Sequence, residues 1–368
     1  MRRIIKIIYL SIIKVMTIFF YPLKIDSNKV VYYASFTEDL IPIIEAMNQK
    51  ANYKVILIYH PRLEVELNKI DVFQKYPHAN KNALRELYHL MTSKFIIVDT
   101  YYLILGGLKK KKGQLVIQTW HASGALKKFG LEDNALKNMK SSEIEQYKKV
   151  YRSFDYILVA SDKMGEIFKR SFDVKDNQLL KLGLPRMDAY FNHEVIDSRR
   201  KKMREELQVN ESETMVLYVP TYRENEQIIS ELPIDLSKLK DGFSPFVKLH
   251  PVVQTTFSSP FLSDKDTDDL LVACDIVITD YSSLAFEASL LHKPIYFYTY
   301  DLEKYNDEKG LIDDYEKAIN FQKYDTNEEL IKALNTEKPI PTEKMNEIWN
   351  TYNDGKAALH LIEWMKNV

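Results

Sequence analysis

The sequence predicts an α/β protein: two successive doubly wound, Rossmann-like lobes facing a cleft, preceded by a basic amphipathic helix. Three observations lead there. Short β-rich runs alternate with amphipathic stretches from about residue 29 to residue 190. A charged stretch at residues 197–202 interrupts the alternation, which then restarts. The chain, at 368 residues, is also too long for one small core. Strands alternating with helices signal a parallel sheet covered on both faces.

The N-terminal helix comes first. Residues 4–23 are mostly apolar, and the first 25 residues carry Arg2, Arg3, Lys6, Lys14 and Lys24 with no acid. That is a local charge of +5 in a chain whose total is −1. No small-residue cleavage site follows; the next residues are Tyr21-Pro22-Leu23-Lys24. Lys14, in the middle of the stretch, is costly at bilayer depth. The reading is a basic helix lying in the interface of an anionic membrane, with Arg2, Arg3, Lys6 and Lys14 at the lipid headgroups. A spanning helix and an ordinary packed helix are the alternatives.

In the first lobe, residues 29–33, 53–59, 95–98, 115–118 and 156–159 read as strands, and 40–47, 83–91, 144–151 and 164–172 as helices. The charged run 197–202 reads as a solvated linker helix, because Glu205 and Glu206 follow it. The second lobe has strands at 215–219, 246–249, 276–279 and 295–298 and helices at 268–273, 284–291 and 327–334, with a last helix near 343–366. The expected division is 1–25 for the membrane helix, 26–195 and 196–340 for the lobes, and 341–368 for a C-terminal helix packing back on the first lobe.

Composition narrows the function. A total charge of −1 gives no support to nucleic-acid binding. Cys274 is the only cysteine, so an internal disulfide and a multi-cysteine zinc site are excluded, and its apolar surroundings read as a buried thiol. The acids show no metal-ligand spacing. The phosphate loop of nucleotide kinases, the dinucleotide fingerprint and the nucleophile elbow are all absent from the sequence.

In open parallel sheets ligands bind beyond the carboxyl ends of the strands. After 115–118 come Trp120, His121, Ala122, Ser123 and Gly124, then Lys127 and Lys128. An imidazole there accepts a proton near neutral pH. After 246–249 comes His250-Pro251, with Lys248 and His250 expected on one side of the strand, a pair suited to a diphosphate. After 276–279 come Asp280, Tyr281, Ser282 and Ser283, then a helix with Glu287 one turn in; a helix N-terminus with hydroxyls suits phosphate. Arg186 and Arg223, the latter beside Thr221, also follow strands and offer guanidinium forks. Each feature has a plainer reading: a histidine capping a loop, an ordinary capped helix, an inter-lobe ion pair.

Taken together and in order, the runs QTWHASGALKKFG, GLPRMD, YVPTYRE, KLHP and ITDYSSLAFEASLLHKPIYFYTYD resemble the CDP-glycerol glycerophosphotransferase family of wall teichoic acid synthesis in Gram-positive bacteria. They span about residues 115–301. The closeness of the first run and the short chain point to the family's primase branch, since its polymerases usually carry a further N-terminal region. Many members have Gly-Thr-Pro after the Trp-His pair, where this chain has Ala122-Ser123-Gly124. The resemblance implies a glycosyltransferase-B-like fold and CDP-glycerol as donor, with CMP leaving. For the primase it implies ManNAc-GlcNAc-diphosphoundecaprenol as acceptor. It matches His121 to the proposed base and His250 to the histidine of the donor diphosphate. It matches Ser282 and Ser283 to the donor-phosphate turn, and with the strand-end reading the expected donor-binding set is Trp120, Ser123, Gly124, Arg186, Thr221, Arg223, Lys248, Asp280, Ser282, Ser283 and Glu287. No cofactor is firmly implied, and magnesium is left open. A peripheral enzyme on the cytoplasmic face of the membrane follows. The alternatives are a glycerol- or ribitol-phosphate polymerase of the same family, a nucleotide-sugar glycosyltransferase, and a non-catalytic membrane-attached binding protein.

Overall fold

The computed structural model describes residues 2–319 and 321–368; the side chains at positions 2–4 and 80 lie outside the described set. The membrane contacts expected of the Arg2 and Arg3 side chains therefore fall outside the described residues. The chain divides into two compact units. The first comprises the chain up to Ala122, then Phe129–Asp188 and Tyr352–Val368; the second comprises Ser123–Lys128 and Ala189–Thr351.

Among the described residues the first unit holds seven parallel strands: β1 (Asp26–Ala34), β2 (Lys54–Tyr59), β3 (Gln74–Pro77), β4 (Ser93–Val98), β5 (Leu115–Gln118), β6 (Tyr156–Leu158) and β7 (Leu179–Leu180). Their order is β3-β2-β1-β4-β5-β6-β7. Val30–Ala34 and Phe95–Val98 are buried on both faces, so these strands read as continuous apolar runs rather than alternating ones. Strand order reverses between β1 and β4, which makes that crevice the unit's switch point.

The second unit contains β8 (Thr214–Tyr218), β9 (Ile228–Ile229), β10 (Phe243–Val247), β11 (Gln254–Thr255), β12 (Ile276–Thr279), β13 (Ile295–Tyr298) and β14 (Lys323–Tyr324). Five of them form a parallel sheet in the order β10-β8-β12-β13-β14, and β9 pairs with β11. Its switch point lies between β8 and β12. One face is packed by a cluster containing Val216, Tyr218, Val247, Ile278, Tyr298 and Leu330.

Two details depart from the sequence reading. β10 ends at Val247, so Lys248 and His250 lie in the loop beyond it and not on a strand. Pro251 lacks an N–H and cannot extend a ladder; instead the Val253 N–H donates to the His250 carbonyl at 2.9 Å and closes a turn. The run 197–202 lies inside the helix His193–Glu206, and only part of it is solvated. Arg199 pairs with Asp268 at 2.6 Å and Asp269 at 2.7 Å. Arg200 reaches Asp275 at 2.5 Å, and the buried Arg204 reaches the same carboxylate at 3.0 Å. Lys201 and Lys202 remain exposed. The acidic first turn of the helix Thr267–Ala273 and the strand-entry acid Asp275 attract these arginines, partners that the local sequence does not reveal.

The helix Arg2–Phe20 buries Ile13 and Thr17. It leaves Ile5, Ile8, Ile12, Val15 and Phe19 exposed, spaced three and four residues apart. Among the described residues no helix is long and apolar enough to cross a membrane. At the other terminus, the helix Ala357–Asn367 belongs to the first unit. The Asp188 carboxylate accepts its first two N–H groups, from Ala357 at 2.8 Å and Ala358 at 2.9 Å.

Candidate active site

Each unit solves the same problem at its switch point. Strand ends leave backbone N–H groups without ladder partners, and burial makes that costly. In the first unit Asp99, just beyond β4, accepts the N–H groups of Ser35 at 2.6 Å and Phe36 at 2.8 Å, which follow β1. In the second unit Asp280, just beyond β12, accepts the N–H of Thr221, which follows β8, at 2.9 Å. Asp99 also accepts the Tyr102 hydroxyl at 2.9 Å. Burial still pushes its carboxyl up to about 7 against these bonds.

His121 is built onto this crevice. Trp120 before it takes a left-handed backbone, with φ at 69°. That conformation is strained for a bulky residue and needs fixing by its surroundings. The Trp120 N–H donates to Gln118 Oε1 at 2.9 Å, and its ring packs on Phe129, Phe168 and Phe172. The turn delivers the His121 imidazole flat against Phe36, with centroids 4.8 Å apart and planes within 9°. Nδ1 lies 3.1 Å from the Asp99 carbonyl oxygen. A carbonyl only accepts, so Nδ1 carries the proton and Nε2 presents a lone pair. Burial holds the imidazole down at about 4, so it is neutral at neutral pH, the state in which the Nε2 lone pair is open to an acceptor proton.

In the second unit a cavity of about 460 Å³ opens beyond β8, β10 and β12. Lys127, Lys248, Lys309, His250, Thr221 and Ser282 line it. His250 stacks on Tyr222, with centroids 5.2 Å apart, and its Nδ1 accepts the Val252 N–H at 3.3 Å. The neutral ring then carries its proton on Nε2, the reverse of His121, and is a donor for an anionic oxygen. Burial and the neighbouring Lys127 hold the His250 pKa below its ordinary value. Burial also lowers Lys127, to about 8, against the attraction of Asp280. The Thr221 hydroxyl is buried with no hydrogen-bond partner, and a ligand oxygen would satisfy it.

Behind the cavity Arg223 is buried between two carboxylates. It reaches Asp280 at 2.6 Å and Asp301 at 2.8 Å, and its guanidinium lies over the rings of Tyr281 and Tyr305. The run that begins at Gln118 is shared between the units: residues up to Ala122 belong to the first and Ser123–Lys128 to the second. The Ser123 hydroxyl donates to Glu287, Gly124 lies tight against Phe286, and the Lys128 N–H donates to the Gly310 carbonyl at 2.9 Å.

The sequence model of the CDP-Glycerol:Poly(glycerophosphate) glycerophosphotransferase family matches residues 15–366. This chain belongs to that family. The transferase is 36% identical over 378 residues to a teichoic acid glycerol-phosphate primase of Bacillus subtilis (strain 168), covering 98% of this chain and 97% of that one. A teichoic acid glycerol-phosphate primase of Staphylococcus aureus (strain NCTC 8325 / PS 47) is 34% identical over 373 residues, covering 99% and 98%. The structure of the wall teichoic acid polymerase TagF matches with a TM-score of 0.75 at 20% identity, covering 99% of this chain and 96% of that one. That likeness shows the glycosyltransferase-B-like fold. The family resemblance and the enzyme class expected from the sequence are thereby established, and the non-catalytic and glycosyltransferase readings fall away.

The transferase brings Thr221, Lys248, His250 and Ser282 to one cavity, with Asp280 and Arg223 bonded behind it. Ser123, Gly124 and Glu287 meet one another. Ser283 begins the helix Leu284–Leu290 without a side-chain bond to it, whereas Ser282 Oγ accepts the Leu284 N–H at 3.3 Å. Trp120, His121 and Arg186 belong to the first unit. Arg186 bonds Asp39 at 2.7 Å within that unit. Arg223, too, pairs within its own unit. Among the described residues no cluster of three or more His, Cys, Asp or Glu could hold a metal. Sequence reasoning passed over Asp99, Phe36, Tyr222 and Lys309. The strand-end rule applied to β4 would have found Asp99; the other three carry no local signal.

Proposed function

We propose that this transferase adds one glycerol phosphate unit from CDP-glycerol to the ManNAc-GlcNAc disaccharide of diphosphoundecaprenol and releases CMP. The near full-length identity with two glycerol-phosphate primases supports the substrate assignment. The observation that carries the chemistry is the pair of histidines in opposite tautomers. An acceptor hydroxyl oxygen attacks the phosphorus that bears glycerol, and its proton passes to Nε2 of His121. The bond from that phosphorus to the CMP oxygen breaks, and the electron pair leaves with CMP.

The second-unit cavity holds the donor diphosphate. Lys127, Lys248 and the Nε2–H of His250 offset its charge, and the Thr221 and Ser282 hydroxyls donate to its oxygens. Phosphoryl transfer depends mainly on positioning and electrostatic stabilisation, which suits several donors and one base. Arg223, Asp280 and Glu287 act as positioning residues behind the cavity. The exposed apolar stripe of the helix Arg2–Phe20, with Lys6 and Lys14, supports peripheral binding at the cytoplasmic membrane face.

The test uses purified protein, CDP-glycerol and the lipid-linked disaccharide, with product mass and CMP measured together. One added glycerol phosphate per acceptor is expected. A ladder of units would make the enzyme a polymerase, and absence of CMP release would refute the assignment.

A further inference from the structure

A second cavity, of about 270 Å³, lies within the first unit, between the N-terminal helix and the ends of the sheet. Lys6, Tyr9, His78, Tyr102, Leu103 and Ile104 line it together with Ile5. Apart from Lys6 at the membrane face and Tyr102 behind Asp99, none of them has a part in the mechanism above. We propose that this cavity takes the phosphate head of a membrane lipid, namely the diphosphate of the acceptor lipid itself, with the hydrocarbon chain leaving along the exposed stripe of the N-terminal helix.

Three observations on different residues converge. The first is charge. Lys6 is exposed and has no carboxylate partner among the described residues. His78 donates from Nδ1 to Glu86 at 2.9 Å, which leaves its other nitrogen for a ligand. Glu86 does not repel an anion from the open side: it is fully buried and also accepts the Tyr33 hydroxyl at 2.6 Å and the Ala79 N–H at 3.3 Å. Its main effect is to raise the His78 pKa and favour the imidazolium.

The second is continuity with an apolar path. Ile5 lines the cavity and also begins the stripe that runs through Ile8, Ile12, Val15 and Phe19. An amphiphile with an anionic head and a hydrocarbon tail matches both parts; a free anion matches only the first. The third is the link to the base. Tyr102 lines the cavity and donates to Asp99, whose carbonyl accepts from His121. The cavity and the proton acceptor thus share a support but are separated by the Tyr102–Asp99 pair. An acceptor whose reacting hydroxyl and lipid diphosphate lie at opposite ends of two sugar rings needs such a separation. The inference rests on the proposed acceptor.

The experiment titrates the full chain with farnesyl diphosphate in the absence of vesicles. Saturable binding is expected, with inorganic diphosphate and dioctanoyl phosphatidic acid binding more weakly. Lys6→Glu reverses an exposed charge, and Leu103→Trp fills the cavity from a half-buried position. Each should weaken farnesyl diphosphate by about tenfold, the scale of one charge-assisted contact, while leaving CDP-glycerol affinity unchanged. Unchanged farnesyl diphosphate affinity in both variants would overturn the proposal. So would equal binding of inorganic diphosphate, which signals a bare anion site, or of phosphatidic acid, which signals a general lipid headgroup site. Failure of the acceptor assignment reads out separately: the product-mass assay with wild-type protein then shows no transfer to the disaccharide, whatever farnesyl diphosphate does.

Discussion

The Ser123 hydroxyl donates to the Glu287 carboxylate, tying the loop after His121 to the first turn of the helix Leu284–Leu290. That bond, with Gly124 against Phe286, fixes the course of Ser123–Lys128 and so brings Lys127 to the wall of the donor cavity. Glu287→Ala should raise KM for CDP-glycerol severalfold and leave the acid limb of the pH profile unchanged. A buried hydroxyl left without its partner costs roughly 1–3 kcal/mol. Initial-rate kinetics across donor concentrations measure this, and an unaltered KM would contradict the positioning role.

Gly124 permits the same contact by having no side chain. A Cβ at that position would lie 2.2 Å from Phe286 Cε2, and Phe286 cannot retreat because it stacks on the buried Trp349 with centroids 4.0 Å apart. Gly124→Ala should therefore destabilise the fold by about 1–3 kcal/mol, the usual cost of overpacking. Thermal unfolding of the variant beside the parent tests it. An unchanged midpoint would mean that the loop moves freely.

His121→Ala should lower CMP release by about 10²–10⁴-fold, the range for removing a general base, while CDP-glycerol still binds. Turnover and donor titration of one preparation separate the two effects. A variant that binds donor weakly but turns over normally would make His121 a binding residue.

The pH profile should show two limbs of opposite origin. His121 works deprotonated, and burial holds it at about 4, so activity falls as pH drops toward that value. Lys127 works protonated, and burial holds it at about 8, so activity falls as pH rises through that value. Lys127→Arg keeps the charge to far higher pH and should move the alkaline limb upward, even if the new side chain lowers the maximum. An alkaline limb that stays in place would assign it to another group.

Much of this was legible in the sequence because strands buried on both faces are runs of Val, Ile, Leu and aromatic residues. β1, β4, β5, β12 and β13 announce themselves in that way. β7 and β14 have two residues each and carry no period. The site was legible where a chemical group follows a strong strand, as His121 follows β5 and Asp280 follows β12. Partner choice was not. Arg186 pairs with the carboxylate of Asp39, which is 147 residues away in sequence. The division of one continuous motif between two units likewise depends on Phe286 and Glu287, more than 150 residues later.

The N-terminal helix yields the last prediction. Ile12 and Phe19 are 54% and 71% exposed, so replacing them leaves the packing of Ile13 and Thr17 intact. An exposed apolar stripe of this length is a liability in water and an asset at a lipid surface, where its burial adds to the attraction of Lys6 and Lys14. Each basic residue near anionic lipid contributes about 1 kcal/mol, so charge alone gives modest binding and the stripe must supply the rest. The double variant Ile12→Glu with Phe19→Glu reverses both contributions. It should lose most binding to vesicles containing phosphatidylglycerol and most activity on long-chain lipid acceptors. It should keep normal CDP-glycerol affinity and normal transfer to a soluble acceptor lacking the lipid diphosphate. Vesicle sedimentation and the two transfer assays read these outcomes. Undiminished sedimentation would show that another surface of the protein meets the membrane.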